Sequence, residues 1–402
     1  WLGLYPQAGN AEYMLHQAEK EDNPAMKGVA LILKTLVMSN IVDTYGNVPY
    51  FDALKIALQK DTLNYTTRYD DMKLIYADMF ALLEDANAAF VKAEELKSSG
   101  EISQTDFSAL CDYMYEGNVE KWRRFGNSLY LRLLMRAAMK VEEDGGVMDM
   151  SGTEHPDFSI VNKIAELYDC FNSGSGDYPL MRDRKDAAVV GFSNNNSALY
   201  TPFYAVTSGN WNSVIACETL VKEMYNTKKG LADPRYYYYF TKPLGAPTQL
   251  FKSNLDAFLA KNVSAAGNSK VGRYPNGNSG QIGNLKNADH YALMNYSELL
   301  FIFAEAGQRG WLNISYPVVK KIYLEAVTES ALEWNTTESA GSEDMTKFIG
   351  ILSDEIEADN ALEKILTQKW VSMFWVGIES WCDYRRTGYP VLKTNGEAAD
   401  NK

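Results

Sequence analysis

Several stretches of the chain repeat apolar residues at the spacing of a helix face. From Asp70 to Lys97, Met72, Ile75, Met79, Leu82, Leu83, Ala86 and Phe90 fall on one stripe, and Asp70 or Asp71 stands where an N-cap is needed. Ala25 to Val42 is apolar almost all round, which predicts a buried helix. Gly46 is placed to stop it in a left-handed turn, and Asn47 and Pro49 then turn the chain. After a break at Gly117 and Asn118, the run from Val119 to Val141 sets Trp122, Phe125, Leu129 and Leu133 on one face. The spans His290 to Arg309 and Tyr316 to Ala331 predict a helix pair joined by a short turn, with Glu305 placed to pair with Arg309 one turn on.

Near the C-terminal end, Lys364 to about Trp375 predicts a helix carrying Ile365, Trp370, Met373 and Phe374 close to one face. Gly377 interrupts the pattern and Trp381 resumes the aromatic load. Glu379, Asp383, Arg385 and Arg386 follow, and opposite charges so close to tryptophan predict ion pairs shielded by aromatic packing. Gly388 and Pro390 close the segment.

From Asp144 to about Lys286 the character changes. Gly, Asn, Ser and Pro cluster repeatedly, and helical patterning shrinks to one piece, Ser213 to Tyr225. Aromatic residues persist, which is not the composition of a linker. The expected architecture is mainly α, with a helical scaffold over roughly 25–141 and 288–392 around a loop-rich middle at about 144–287.

The chain has 402 residues, 46% of them hydrophobic and 12% aromatic, enough for a sizeable core. The net charge of −13, from 52 acidic against 39 basic residues, repels phosphate backbones and argues against nucleic acid as a partner. Arg123, Arg124, Arg132 and Arg136 share one predicted helix, where Glu116 and Glu120 precede them. Four cysteines (Cys111, Cys170, Cys217, Cys382) form no C-x-x-C pair, and with only three histidines no zinc motif assembles. The most apolar segment, Val29 to Val42, is broken by Lys34, Thr35, Ser39 and Asn40, short of a membrane span.

Catalytic motifs are scarce. Gly277-Asn278-Ser279-Gly280 fails the nucleophile-elbow frame because residue 281 is Gln, and Gly174-Ser175-Gly176 lacks a third glycine and a βαβ setting. Neither a cofactor nor a metal is expected. What remains is a binding inventory. Sugars present flat C–H faces ringed by hydroxyls, and a site for them wants Trp or Tyr rings with amides at the edges. Asn194, Asn196, Tyr200, Tyr204, Asn210 and Trp211 supply that mixture in a stretch with little helical signal, and Tyr274 is a further candidate. Ordinary loop packing accounts for the same cluster equally well. The run Tyr236 to Tyr239, if extended, would alternate faces, so at most half of it could line a site. Asp233-Pro234-Arg235 reads as a structural turn with an ion pair.

Four blocks of the sequence resemble one family. They are QKW (368–370) with GIESW and DYRRTGYP (377–390), Asp43 to Tyr50 (D-x-Y-G-N-V-P-Y), Trp122 to Arg132 (W-x-R-F-x-N-S-L-x-L-R), and Met294 to Trp311 with its Y-x-E-x-x-F-x-x-A-E-A core. Taken in chain order, they are similar to the signatures of the SusD/RagB group of outer-membrane nutrient-binding lipoproteins, in its second SusD-like branch. The resemblance implies one SusD-like domain over 1–402, built on degenerate tetratricopeptide-like helix pairs with an irregular region packed against them. It implies a non-enzymatic protein on the surface of a Gram-negative outer membrane, binding an oligosaccharide or polysaccharide and delivering it to a SusC-like TonB-dependent transporter. Family members are anchored through a lipidated N-terminal cysteine and continue past the RRTGYP block. The first cysteine here is Cys111, so the expectation is a chain without its leader and anchor. Three alternatives stay open: a peptide-binding member of the family, an all-helical glycoside hydrolase, and a helical-repeat scaffold that binds only protein.

Overall fold

A computed structural model of the chain describes residues 3–54, 67–108, 112–143, 148–149, 157–191, 218–226, 231–239, 290–334 and 343–392. The all-round apolar run becomes α2 (Pro24–Tyr45), and its ends follow from local chemistry. Asn23 caps it by accepting the Met26 N–H at 3.0 Å, Pro24 takes the first turn, and Gly46 leaves it at a φ of 75°. By length and hydropathy α2 is long and apolar enough to cross a bilayer, yet 67% of its most apolar window is buried inside the protein. It is a core helix that carries buried Thr35, Ser39 and Asp43.

The chain divides into two compact units, residues 1–188 with 310–313 and residues 189–309 with 314–402. In the first, α1 (Leu4–Lys20) packs on α2, α2 on α3 (Met72–Ser99), α3 on α4 (Val119–Glu143), and α4 on α5 (Ile160–Ser173). The predicted α3 stripe is the buried face: Ile75, Met79, Leu83, Ala86 and Phe90 are sealed, whereas Met72 and Leu82 are half-buried. Asp71 caps this helix on the Lys73 N–H at 2.8 Å. The helices approach closely where glycine allows it. A Cβ on Gly28 would stand 2.6 Å from the Phe90 ring, and one on Gly126 2.6 Å from Ile32 Cδ1. Strands β1 (Met148–Asp149) and β2 (Asp157–Phe158) form a minimal antiparallel pair.

The second unit contains α6 (Glu218–Met224), the antiparallel pair β4 (Tyr225–Asn226) and β5 (Leu231–Ala232), and α7 (Tyr236–Tyr239). Strand β3 (Ala188–Gly191), all but its first residue in this unit, is hydrogen-bonded to β6 (His290–Met294). Then follow α8 (Tyr296–Gln308), α9 (Tyr316–Trp334), α10 (Glu343–Glu355), α11 (Ala361–Ser372) and α12 (Gly377–Thr387). α8 packs on α9 and α11, and α11 packs on α12 and α6. Every residue of α8 from Tyr296 to Gly307 is buried, so it is the axis of the unit.

Four expectations need correction. The helix from His290 begins only at Tyr296, because the first five residues pair as strand β6. The helix expected to reach Trp375 ends at Ser372; the chain reverses there, with the Val376 N–H bonded to the Met373 carbonyl and Trp375 at a φ of 76°. That left-handed conformation costs a non-glycine residue about 1 to 3 kcal/mol and is held by the surrounding packing. The loop-rich middle also contains a full helix, α5, capped by Ser159 on the Asn162 N–H at 3.2 Å. Finally, Tyr236 to Tyr239 is a helical turn.

Candidate functional site

The residues read as a sugar platform, Trp211, Tyr204, Asn210, Tyr200, Asn194, Asn196 and Tyr274, lie outside the described residues. The nearby Tyr236 and Tyr239 do not extend that platform. They are 2% and 0% exposed, and Tyr239 stacks on Phe374 at 4.2 Å and donates to the Val371 carbonyl at 2.8 Å. Their neighbour Arg235 is fully buried. It donates to Asp233 at 2.6 and 3.0 Å, to Ser330 at 3.0 Å and to Gln368 at 2.6 Å, so the Asp233-Pro234-Arg235 turn is the structural tie its sequence indicates.

The four signature blocks turn out to build scaffold. Asp43 accepts the Tyr76 hydroxyl and the Arg136 guanidinium. The Tyr50 and Phe51 N–H groups close on Asp70 at 2.8 and 2.9 Å. Trp122 is 5% exposed and donates its indole N–H to Asp112 at 2.7 Å. Asn127 and Ser128 hold the chain after α5: Asn127 donates to the Pro179 carbonyl at 2.9 Å, and Ser128 Oγ accepts the Met181 N–H at 3.1 Å. Trp311 donates to Glu142 at 2.8 Å.

The chain fixed by Asn127 and Ser128 forms one wall of a cleft in the first unit, of about 820 Å³. That volume lies within the range of small-molecule sites. Helix α3 contributes Asn87, Glu94 and Glu95, α4 contributes Arg123, α5 contributes Glu166, and the loop after α5 contributes Asp177 and Tyr178. Arg123 is the keystone. Its Nε donates to Asn87 Oδ1 at 2.8 Å and its Nη2 to the carbonyls of Gly176 and Asp177, both at 2.9 Å. Burial lowers its pKa, with Asp177 and Glu94 opposing the shift. Its Nη1 makes no hydrogen bond among the described residues, which leaves donors available.

Tyr178 is fixed just as firmly. Its hydroxyl donates to Glu84 at 2.6 Å, and the Lys163 ammonium lies 3.7 Å from its ring centroid while also meeting Glu84 at 2.7 Å. Burial raises the tyrosine pKa, and the hydrogen bond to Glu84 adds to the rise. Burial alone would lower Lys163, but its bonds to Glu84 and Tyr178 outweigh that and raise it. The cleft carboxylates are more open to water, with Glu94, Glu95 and Glu166 side chains 52%, 63% and 50% exposed. In the sequence Arg123 stood out only as one of the arginines sharing a single helix. The convergence of the cleft residues depends on contacts between segments some ninety positions apart, as for Tyr178 and Glu84 at a separation of 94.

Among the described residues no group of three or more His, Cys, Asp or Glu is placed to hold a metal ion. Cys170 and Cys382 are both buried.

A family model described as "starch-binding associating with outer membrane", the second SusD-like family, matches residues 1–402. The chain belongs to this SusD-like family. Its members are binding proteins and not enzymes, and this chain is a binding protein of that kind. None of the curated proteins matches the sequence. Among solved structures, a SusD homologue from Bacteroides fragilis is similar with a TM-score of 0.73 and 21% identity, over 100% of this chain and 79% of that one. A protein described as chitin-binding is similar with a TM-score of 0.71 and 20% identity, over 100% and 77% of the two chains. A chitin-binding SusD homologue from Flavobacterium johnsoniae gives 0.63 and 22%, over 96% and 73%. At these identities the likeness establishes the fold, the mainly helical SusD-like one.

Proposed function

We propose that the chain is a cell-surface glycan-binding protein that captures oligosaccharide and passes it to a SusC-like TonB-dependent transporter, held at the outer membrane by a lipid anchor. The observation that carries this reading is the family match over residues 1–402, joined to four signature blocks whose side chains each tie scaffold elements together. Two structures of the same fold are described as chitin-binding, which supports a polysaccharide over a peptide ligand. The platform is assigned to the aromatic and amide cluster of residues 144–287, led by Trp211 and Tyr204 with Asn194, Asn196, Tyr200, Asn210 and Tyr274. A protein of this kind works as a lid: ligand with higher affinity for the closed state shifts the population toward closure and commits the nutrient to the barrel.

The test is an array of neutral glycans, including starch and N-acetylglucosamine oligomers, set beside a peptide panel. Binding to a glycan series, with the glycan recovered at its original length after incubation, supports the reading. Binding to peptides alone, or shortened glycan products, overturns it.

A further inference from the structure

A buried polar atom without a partner is costly, and each one asks for a reason. In the second unit two such groups face each other. Both carboxyl oxygens of Glu333, in the last turn of α9, are sealed from water and have no hydrogen-bond partner among the described residues. The same holds for the hydroxyl of Ser297, in the first turn of α8. Ser297 presents that hydroxyl and its backbone N–H to the Glu333 carboxyl.

A carboxylate removed from water needs a countercharge or several donors, and here the cations are already spent. Arg235 acts on Glu333 but is bound to Asp233 at 2.6 and 3.0 Å. Helices α8, α10 and α11 pack against α9. α8 carries no lysine or arginine, and its Glu298 and Glu305 are buried acids. Lys347 on α10 pairs with Glu343 at 2.5 Å. On α11, Lys364 lies 3.9 Å from Glu355 and Lys369 2.7 Å from Asp383. On α9 itself Glu329 adds like charge one turn away, and Lys320 and Lys321 lie about three turns back. Ionised, Glu333 has one serine to answer a buried charge. Protonated, it has no charge to compensate and an O–H that Ser297 Oγ can accept. Burial accordingly pushes the carboxyl up to about 7, with Ser297 and Arg235 opposing the rise. The next residue shows what this turn holds. Trp334 is 4% exposed and meets Tyr239 edge to face at 4.6 Å and Phe374 at 5.9 Å, in a cluster that joins α9 to α6, α7 and α11.

We propose that Glu333 and Ser297 form a pH-sensitive latch: the protonated carboxyl closes on Ser297 and holds the last turn of α9 on α8, and ionisation releases that turn together with Trp334. An open turn returns the carboxyl to water, where its ordinary value is 4.5. The closed turn is therefore favoured fully below that value. Its advantage declines as pH climbs to about 7 and is constant beyond.

The test is amide hydrogen exchange of the intact chain from pH 5 to pH 8, expressed as protection relative to an unstructured chain so that the intrinsic pH dependence of exchange drops out. In the wild type, protection of Ser330 to Trp334 is expected to fall at least tenfold between pH 5 and pH 7.5 and then to level off. The amides of Phe301 to Ala304, at the centre of α8, are expected to stay at least tenfold better protected at pH 7.5, which marks the opening as local. Glu333→Gln keeps a donor for Ser297 and cannot ionise, so its protection is expected not to change with pH. In Ser297→Ala the ionised form loses its donor, and the levelling off is expected to move to higher pH. A wild-type turn whose protection ignores pH overturns the latch, whether or not either variant folds. So does a turn no less protected than the centre of α8, a Glu333→Gln variant that keeps the wild-type dependence, or a Ser297→Ala profile identical to the wild type.

Discussion

Glu305 on α8 accepts two N–H groups from Arg386 on α12, at 2.5 and 2.8 Å, across a sequence separation of 81. Both side chains are sealed from water, 0% and 4% exposed. Burial pushes Glu305 up, but Arg386, Lys369 and Arg309 together hold it below the usual carboxylate range. Arg309 donates to the same carboxylate at 2.8 Å, as its place one turn on predicts, and Asp383 bridges Arg386 and Lys369 at 3.0 and 2.7 Å. One buried network therefore joins the Y-x-E helix to the RRTGYP block.

Removing one partner of a buried pair leaves a charge with inadequate compensation. Arg386→Met is accordingly expected to cost about 3 to 5 kcal/mol in chemical unfolding. Arg385 differs from its neighbour, because its guanidinium lies 4.4 Å from the ring centroid of Trp381, which is 40% exposed. Arg385→Met is expected to cost about 1 kcal/mol or less, the scale of an exposed cation–π contact. Equal losses in the two variants would contradict the distinction.

The two tryptophans of the scaffold also separate. Trp122 packs against Tyr115 and Phe125 at 5.5 and 6.2 Å besides its bond to Asp112, and Trp122→Ala is expected to cost about 3 to 5 kcal/mol. Trp370 is only partly buried against its cluster, so Trp370→Ala is expected to cost clearly less. Thermal or urea unfolding of both decides the order.

Glu333 on α9 makes stability depend on pH. Burial raises its carboxyl from 4.5 to about 7, with Ser297 and Arg235 opposing the rise and Glu329 adding to it. A group whose pKa is higher folded than unfolded stabilises fully below the unfolded value, and that contribution is lost as pH climbs through the folded one. The window is therefore about pH 4.5 to 7, and the loss on its far side is about 3 kcal/mol. Glu333→Gln cannot ionise. Its stability relative to the wild type is expected to rise by roughly that amount between pH 5 and pH 8, read by urea unfolding at each pH. A constant difference would contradict the assignment.

The helices with bulky apolar stripes were legible in the sequence, as the sealed Ile75, Met79, Leu83 and Phe90 of α3 illustrate. α1 gave no such signal because its buried face is Ala8, Ala11, Leu15 and Ala18, mostly side chains too small to mark a stripe. Tyr236 to Tyr239 has the composition of a strand, and tertiary packing against Phe374 and Trp334 overrides that propensity. Proximity in sequence offered Glu379 and Asp383 as the partners of the C-terminal arginines. Asp383 is one of them, but Glu305 is reachable only through the fold. The cleft was hidden for the same reason, since Asn87, Arg123 and Tyr178 converge from separate elements. The aromatic platform, in contrast, rests on composition around Trp211 alone.

That platform is the central claim, and calorimetry on Trp211→Ala tests it most directly. With a neutral glycan that binds the wild type, affinity is expected to fall at least tenfold, about 1.4 kcal/mol or more, while the melting temperature falls far less than for Trp122→Ala. Wild-type affinity in Trp211→Ala, or unfolding as severe as that of the core variant, would contradict the account.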